Sequence, residues 1–234
     1  MLVLGIDTAT SVLSVAILEE EKILSAYTAD SKRNHSGLLL SVIESQLKKN
    51  KLGLTDIRLI AVSKGPGSFT GLRVGISLSK GFAFSLNIPL IGIPTLDALA
   101  INRDTSHFVP WTIPYFICPL LDAKKNQIYC ALYKNVNSKL KRMTEYLSVE
   151  FKELCNTIKK IAGKSKILFT GEGVSAYRTE LKDAFKESAV FDDSKSIVAV
   201  SVAKIGTERF KNGISDSIYG LSPLYIRKPD VREH

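Results

Sequence analysis

The chain has 234 residues, 45% of them hydrophobic and 24% charged, with a formal net charge of +9 and three cysteines. This balance fits a globular protein that buries a sizeable core, as one large domain or two lobes. It excludes a membrane helix, because no apolar run approaches the roughly 18 to 20 residues a span requires, and the odd, scattered cysteines exclude a disulfide framework.

Leu2-Val3-Leu4-Gly5-Ile6 reads as a short strand ending at Asp7. Asp7 interrupts that run too early for a signal-peptide layout, and reduced thiols point to a cytoplasmic protein. The small-polar turn Thr8-Ala9-Thr10-Ser11 follows, with return strands expected over Val12–Leu18 and Lys22–Thr28. Leu39, Leu40, Ile43 and Leu47 recur at helical spacing, which predicts an amphipathic helix over Ser36–Lys49. A buried strand is expected over Ile57–Ser63, a helix over Ser68–Ser85, a strand at Leu90–Ile93 and a short helix over Leu96–Ile101.

The second half begins after the proline-containing crossing Val109–Pro114 and echoes the first. Asp122 ends the apolar strand Tyr115–Leu121, the chain turns through Ala123-Lys124-Lys125-Asn126, and Ile128–Tyr133 return. With Asp122 aligned on Asp7, Leu13–Ile17 and Ile128–Leu132 coincide without a gap, as an internal duplication would leave them. Helices are predicted over Phe151–Ala162, Val174–Lys186 and Val198–Lys211, with a strand at Lys166–Thr170. The predicted organisation is α/β: a first lobe over 1–108, with a helix at about 197–212 packing back onto it, a second lobe over 109–196, and an extended tail over 213–234.

Residues 1–113 carry 11 basic and 9 acidic side chains, whereas residues 114–234 carry 21 and 14, so the excess belongs to the second half. Solvated lysine faces and a phosphate-facing surface both account for it. Cys118 and Cys130, isolated in apolar runs, read as core fillers.

Gly65-Pro66-Gly67 separates strand from helix, and Ser68 is placed to cap that helix. Amides at such a turn can hold an anion, yet neither a Walker sequence nor Gly-x-Gly-x-x-Gly is present. Within the helix, Gly71, Gly75, Ser79 and Ala83 fall every four residues and make one face nearly bare. Mid-helix glycine costs about 0.5 to 1 kcal/mol relative to alanine, so a compensating close approach is expected. The spacing leaves open whether this approach is internal or made by another subunit.

The segments Leu4-Gly5-Ile6-Asp7-Thr8, Arg33-Asn34-His35-Ser36, Gly65–Gly75, Ile91–Ala100, Leu121-Asp122-Ala123-Lys124 and Pro223-Leu224-Tyr225-Ile226-Arg227 together resemble the TsaB (YeaZ) family of tRNA threonylcarbamoyladenosine biosynthesis proteins. The resemblance spans nearly the whole chain. It implies a two-lobed actin-like (ASKHA) fold and a catalytic paralogue, TsaD, as partner. It also implies a TsaE-type ATPase and a tRNA substrate met mainly through the complex, and it allows pairing with a second copy. The family pairs through the two first-lobe helices. This implies an interface of Leu39, Ile43, Leu47, Phe69, Gly71, Leu72, Gly75, Ser79 and Ala83.

The same resemblance argues against catalysis. The catalytic paralogue carries His-x-x-x-His just after the strand that follows the glycine helix, where this chain has Thr95-Leu96-Asp97-Ala98-Leu99. Neither threonine nor leucine replaces an imidazole ligand, so no metal is expected. His35 and His107 stand alone and His234 is the last residue; His35 reads as a capping or surface residue. In actin-like ATPases two Asp-centred hairpins grip the phosphates. Asp7, Thr8, Thr10 and Ser11 keep the small-polar character of such a hairpin, whereas Asp122 and Lys124 sit in a bulkier, charged turn. A scaffold with no intrinsic cofactor is therefore expected, with any ATP or ADP held at the interface of the complex. A small-molecule kinase would need a complete second hairpin, and a metalloprotease clustered ligands.

Overall fold

Alternating side chains on the first strands feed two layers at once. β1 (Leu2–Asp7) sends Leu4 and Ile6 into one buried cluster and Val3 into another; β4 (Leu59–Gly65) divides Ile60 and Val62 from Leu59 and Ala61 in the same way. The structure, a computed structural model, describes residues 1–30, 35–101, 115–136, 139–192 and 197–227. It divides into two units, Met1–Asn102 with Ile197–Leu224, and Arg103–Ser196 with Tyr225–His234.

In the first unit β2 (Val12–Glu19), β3 (Lys22–Asp30) and β5 (Leu90–Pro94) complete a five-stranded sheet of order β3-β2-β1-β4-β5. The first three strands are antiparallel, and β4 and β5 run parallel to β1 and β4. α1 (His35–Lys49) and α2 (Phe69–Leu86) contribute Leu39, Ile43, Leu47, Ile76 and Ala83 to the cluster on one face. α3 (Thr95–Ile101) and α6 (Val198–Lys211) cover the other with Ala98, Ala199, Val202 and Ala203. The stretch after α6 docks on this unit: Asp216 bridges to Leu90, Leu221 is buried, and Leu224 N donates to Lys64 O at 2.6 Å.

The second unit is built around β6 (Tyr115–Asp122). β7 (Gln127–Cys130) pairs with the C-terminal half of β6 and β8 (Tyr133–Val136) with its N-terminal half, so the single return strand expected over 128–133 is broken at Ala131-Leu132. The break lets β7 pair with β10 (Leu147–Glu150) and β8 with β9 (Lys139–Arg142). β11 (Ile167–Thr170) and β12 (Ala189–Phe191) extend the sheet in parallel on the other side of β6. α4 (Phe151–Ala162) and α5 (Gly173–Phe185) pack Leu154, Ile158, Leu181 and Phe185 against Phe116, Leu120 and Phe169. The expected boundary at 108/109 and the crossing 109–114 lie outside the described residues, as do His107, His234 and the side chain of His35.

Candidate functional site

The glycine motif is the seat of the first acidic hairpin. Ser68 caps α2, its hydroxyl accepting from Gly71 N at 3.2 Å, while its own N–H donates to Ala9 O at 2.7 Å. Thr8 Oγ1 donates to Gly71 O at 2.7 Å. Gly67 lies so close to Ala9 that an added Cβ would overlap the Ala9 carbonyl oxygen. At Gly71 a Cβ would overlap the Thr8 carbonyl oxygen, and at Gly75 it would overlap Thr8 Oγ1. The close approach that these glycines permit is thus internal.

This corrects the assignment of the bare face to a partner. Gly71, Gly75, Ser79 and Ala83 are buried in the first unit, together with Leu39, Ile43, Leu47 and Leu72. Of the nine residues expected at an interface only Phe69 is exposed, at 41%. The reason is geometric: the apolar and small positions of an amphipathic helix face its own sheet first. The solvent side of the pair carries other residues. Along α2 these are Phe69, Arg73, Ser77, Gly81 and Phe84, recurring every three to four residues, and Phe84 is 67% exposed. The Arg73 guanidinium lies 3.8 Å from the Phe69 ring centroid. Leu40 on α1 is 49% exposed. Gly81 differs from the other α2 glycines, since a Cβ there would meet nothing within 4 Å. Lys80 Nζ donates to Tyr219 O at 3.5 Å, which sets the 85% exposed Tyr219 beside the same stretch of α2.

Asp7 is fully buried and ties up its own turn. Its carboxylate accepts from Ala9 N at 3.3 Å and shares the single hydroxyl proton of Thr10, 3.1 Å away, with Val12 O, which lies 2.8 Å from the same Oγ1. Thr8 is committed to Gly71, and Ser11 is exposed. In the second unit Asp122 is answered by its own neighbour: Oδ1 accepts from Lys124 N at 2.8 Å and Oδ2 meets Lys124 Nζ at 2.6 Å. The Lys124 hydrogen bond holds the Asp122 carboxyl below its usual range, and the same bond raises the Lys124 ammonium. Lys124, Lys125 and Asn126 all adopt positive φ, at 61°, 53° and 60°, where side-chain-bearing residues are strained. The turn has left-handed geometry without the glycines that would let a phosphate approach its backbone.

Thr95–Ile101 form α3, with Thr95, Leu96, Ala98 and Leu99 buried, and Asp97 lies 3.5 Å from Arg209. This helix is therefore mostly apolar core. The cysteines, distant in sequence, meet in the core of the second unit. Burial, reinforced by Cys130 and Cys155, pushes the Cys118 thiol well up; burial with Glu153 pushes Cys130 up to about 12, and burial raises Cys155. None of the three is poised as a thiolate nucleophile. No sequence signal would have placed them together.

Together the two units have the fold of the actin-like class. A structure described as YeaZ from Pseudomonas aeruginosa superposes with TM-score 0.77 at 21% identity, covering 96% of this chain and 99% of that one. A ROK hexokinase from Thermus thermophilus superposes with TM-score 0.54 at 9% identity, covering 91% of this chain and all of that one. Both likenesses are of fold: the chain has the α/β architecture of two-lobed ASKHA proteins.

Within that class, residues 22–230 match the family model described as TsaD, tRNA N6-adenosine threonylcarbamoyltransferase. The tRNA threonylcarbamoyladenosine biosynthesis protein TsaB of Bacillus subtilis is 32% identical over 97% of this chain and 94% of its own length. The chain belongs to the TsaB family.

Proposed function

We propose that this chain is a non-catalytic scaffold for threonylcarbamoyladenosine synthesis on tRNA, pairing with a TsaD-type catalytic subunit and working alongside a TsaE-type ATPase. The observation that carries the proposal is the solvent face of α2, where exposed Phe84 lies one turn from a glycine with no internal reason to be one and exposed Phe69 stands at the other end of the face. A mid-helix glycine in open space costs about 0.5 to 1 kcal/mol relative to alanine, and close approach of a partner helix would offset that cost. Leu40 on α1 is exposed as well, and so is Tyr219, whose backbone oxygen accepts from Lys80 of α2. A second copy could use this face when the catalytic subunit is absent.

Three features support assigning the chemistry to the partner. Core residues occupy α3, Asp122 is neutralised by Lys124, and the cysteine thiols are raised by burial. Any ATP or ADP is then held by the partners or where they meet this chain.

The test is pairing. Phe84→Glu places a charge at the C-terminal end of the face, beside Gly81, and loss of an aromatic anchor there typically weakens binding by about 2 to 4 kcal/mol, or roughly 30- to 1,000-fold. Gly81→Leu blocks close approach. Phe84→Glu should melt like the parent and Gly81→Leu no lower than it, yet both should fail to co-elute with the catalytic subunit in size-exclusion chromatography. Undiminished co-elution of both would refute this interface.

A further inference from the structure

In the second unit the strand registers place Ala189, Ile167, Phe116, Lys134 and Lys141 in one row across the sheet. With about 4.8 Å between strands, that row is roughly 19 Å long. Because β11 and β12 run parallel, the helices before them both end at this edge of the sheet. Lys159 in the last turn of α4, Lys164 and Lys166 in the following loop, and Lys186 after α5 collect there.

The contacts fix this gathering. Phe116 N donates to Lys166 O at 2.9 Å, and Ser188 Oγ donates to Lys164 O at 3.2 Å. Lys134 Nζ stands 5.8 Å from the Phe116 ring and Lys159 Nζ 5.7 Å from the Phe185 ring, and both rings belong to one core cluster.

Helix-end electrostatics explain only part of the cluster. Lysine in a last turn complements the helix dipole, which accounts for Lys159. It does not account for Lys134 and Lys141, which face each other directly across an antiparallel pair, where like charges repel. Lys166 Nζ turns to the backbone oxygen of Glu187, and among the described residues none of these six lysines meets a carboxylate within ion-pair distance. Asp183 and Glu187 are the acidic side chains on the helix-end segments, and the described β8 and β9 residues carry none.

From this we infer that the sheet edge formed by β8, β9 and the starts of β11 and β12 binds the phosphate backbone of RNA; the inference rests on the tRNA-directed reading above. Flexible ammonium point charges spread over some 19 Å suit successive phosphates better than a single free nucleotide, and they carry no base code. The expected contact is therefore salt-dependent and indifferent to sequence.

The experiment titrates the full chain into fluorescent unmodified tRNA over a range of KCl concentrations. Each lost phosphate contact should lower the log–log salt slope by about 0.7 to 0.9. A variant with Lys134, Lys141, Lys164 and Lys166 changed to Gln should lose about 3 units of slope and bind on the order of 1,000-fold more weakly near 0.1 M salt. A control with Lys22, Lys49, Lys51 and Lys211 changed to Gln should stay within about twofold of the parent, against a slope change of that size. Equal losses in the two variants, or a parent that does not bind tRNA because an acidic protein is the real occupant, overturn the inference.

As a check that needs no variant, bound tRNA should protect Lys141, Lys164 and Lys186 of the parent from acetylation, and unprotected lysines contradict the inference. Pairing with the catalytic subunit is measured on the same proteins. Intact pairing with unaltered tRNA binding in the first variant rejects the RNA surface alone, whereas a parent that does not pair rejects the scaffold reading.

Discussion

Replacing Gly71 and Gly81 by alanine, one at a time, separates the internal role of the glycine helix from its outward one. Gly71 lies in the first turn of α2 and Gly81 in its interior, so intrinsic propensity favours alanine by about 0.5 to 1 kcal/mol at Gly81 and by less at Gly71. At Gly81 the added methyl meets open space, and the full gain should appear as increased stability. At Gly71 the methyl would overlap the Thr8 carbonyl oxygen, which is backbone and cannot rotate away. The hairpin turn must lift, with overpacking typically costing about 1 to 3 kcal/mol. Lifting also strains the buried Thr8–Gly71 hydrogen bond, worth about 0.5 to 1.5 kcal/mol. After subtracting the propensity gain, Gly71→Ala should destabilise by about 1 to 3 kcal/mol, a fall in Tm of roughly 2 to 12 °C for a chain this size. Differential scanning calorimetry of the parent and both variants reads the difference directly. Equal shifts, or a Gly71 variant as stable as the parent, would refute the account of the motif as a seat for the Asp7 hairpin.

Three further outcomes follow from the buried and paired groups. Ser79 Oγ is buried without a hydrogen-bond partner among the described residues, so Ser79→Ala should leave Tm unchanged or raise it; a clear loss would show that the hydroxyl is satisfied. The Asp122 carboxyl, lowered by Lys124, should titrate below the ordinary aspartate range by carbon-13 NMR and return to it in Lys124→Ala. Its contribution to stability is in place above the unfolded-state pKa and is lost as pH falls through the folded one. The Lys124 contribution is present below the unfolded lysine pKa and lost as pH rises through the raised folded one. Cys118 and Cys130 should resist a thiol-specific reagent at pH 8 until the chain is unfolded, and rapid native labelling of either would contradict their burial.

The fold class was legible because the strand–helix signals are strong where side-chain periodicity and caps agree. Val198–Lys211 is helical over the span that its pattern predicts, and Ser68 caps α2. The second sheet was less legible. β9 is Lys-Leu-Lys-Arg and has little apolar character, so its pairing with β8, and with it the break after Cys130, leaves no pattern along the chain.

The glycine helix shows a different limit. A spacing of four establishes that something approaches closely, but the partner, Thr8, lies 63 residues away from Gly71 and comes together with it only through the sheet. The outward face was harder still to find, because one exposed glycine beside exposed phenylalanines lacks the periodic small-residue signal that drew attention to the buried face.

Reconstitution tests the central claim most directly. Unmodified tRNA, ATP and a threonylcarbamoyl donor are combined with the proposed TsaD-type catalytic subunit and TsaE-type ATPase, and modified adenosine is quantified with this chain present, absent, or carrying Phe84→Glu. The scaffold account predicts abundant product with the parent chain, little without it or with the Phe84 variant, and none from this chain in the absence of the catalytic subunit. Product formed without the catalytic subunit, or full activity in the absence of this chain, would contradict it.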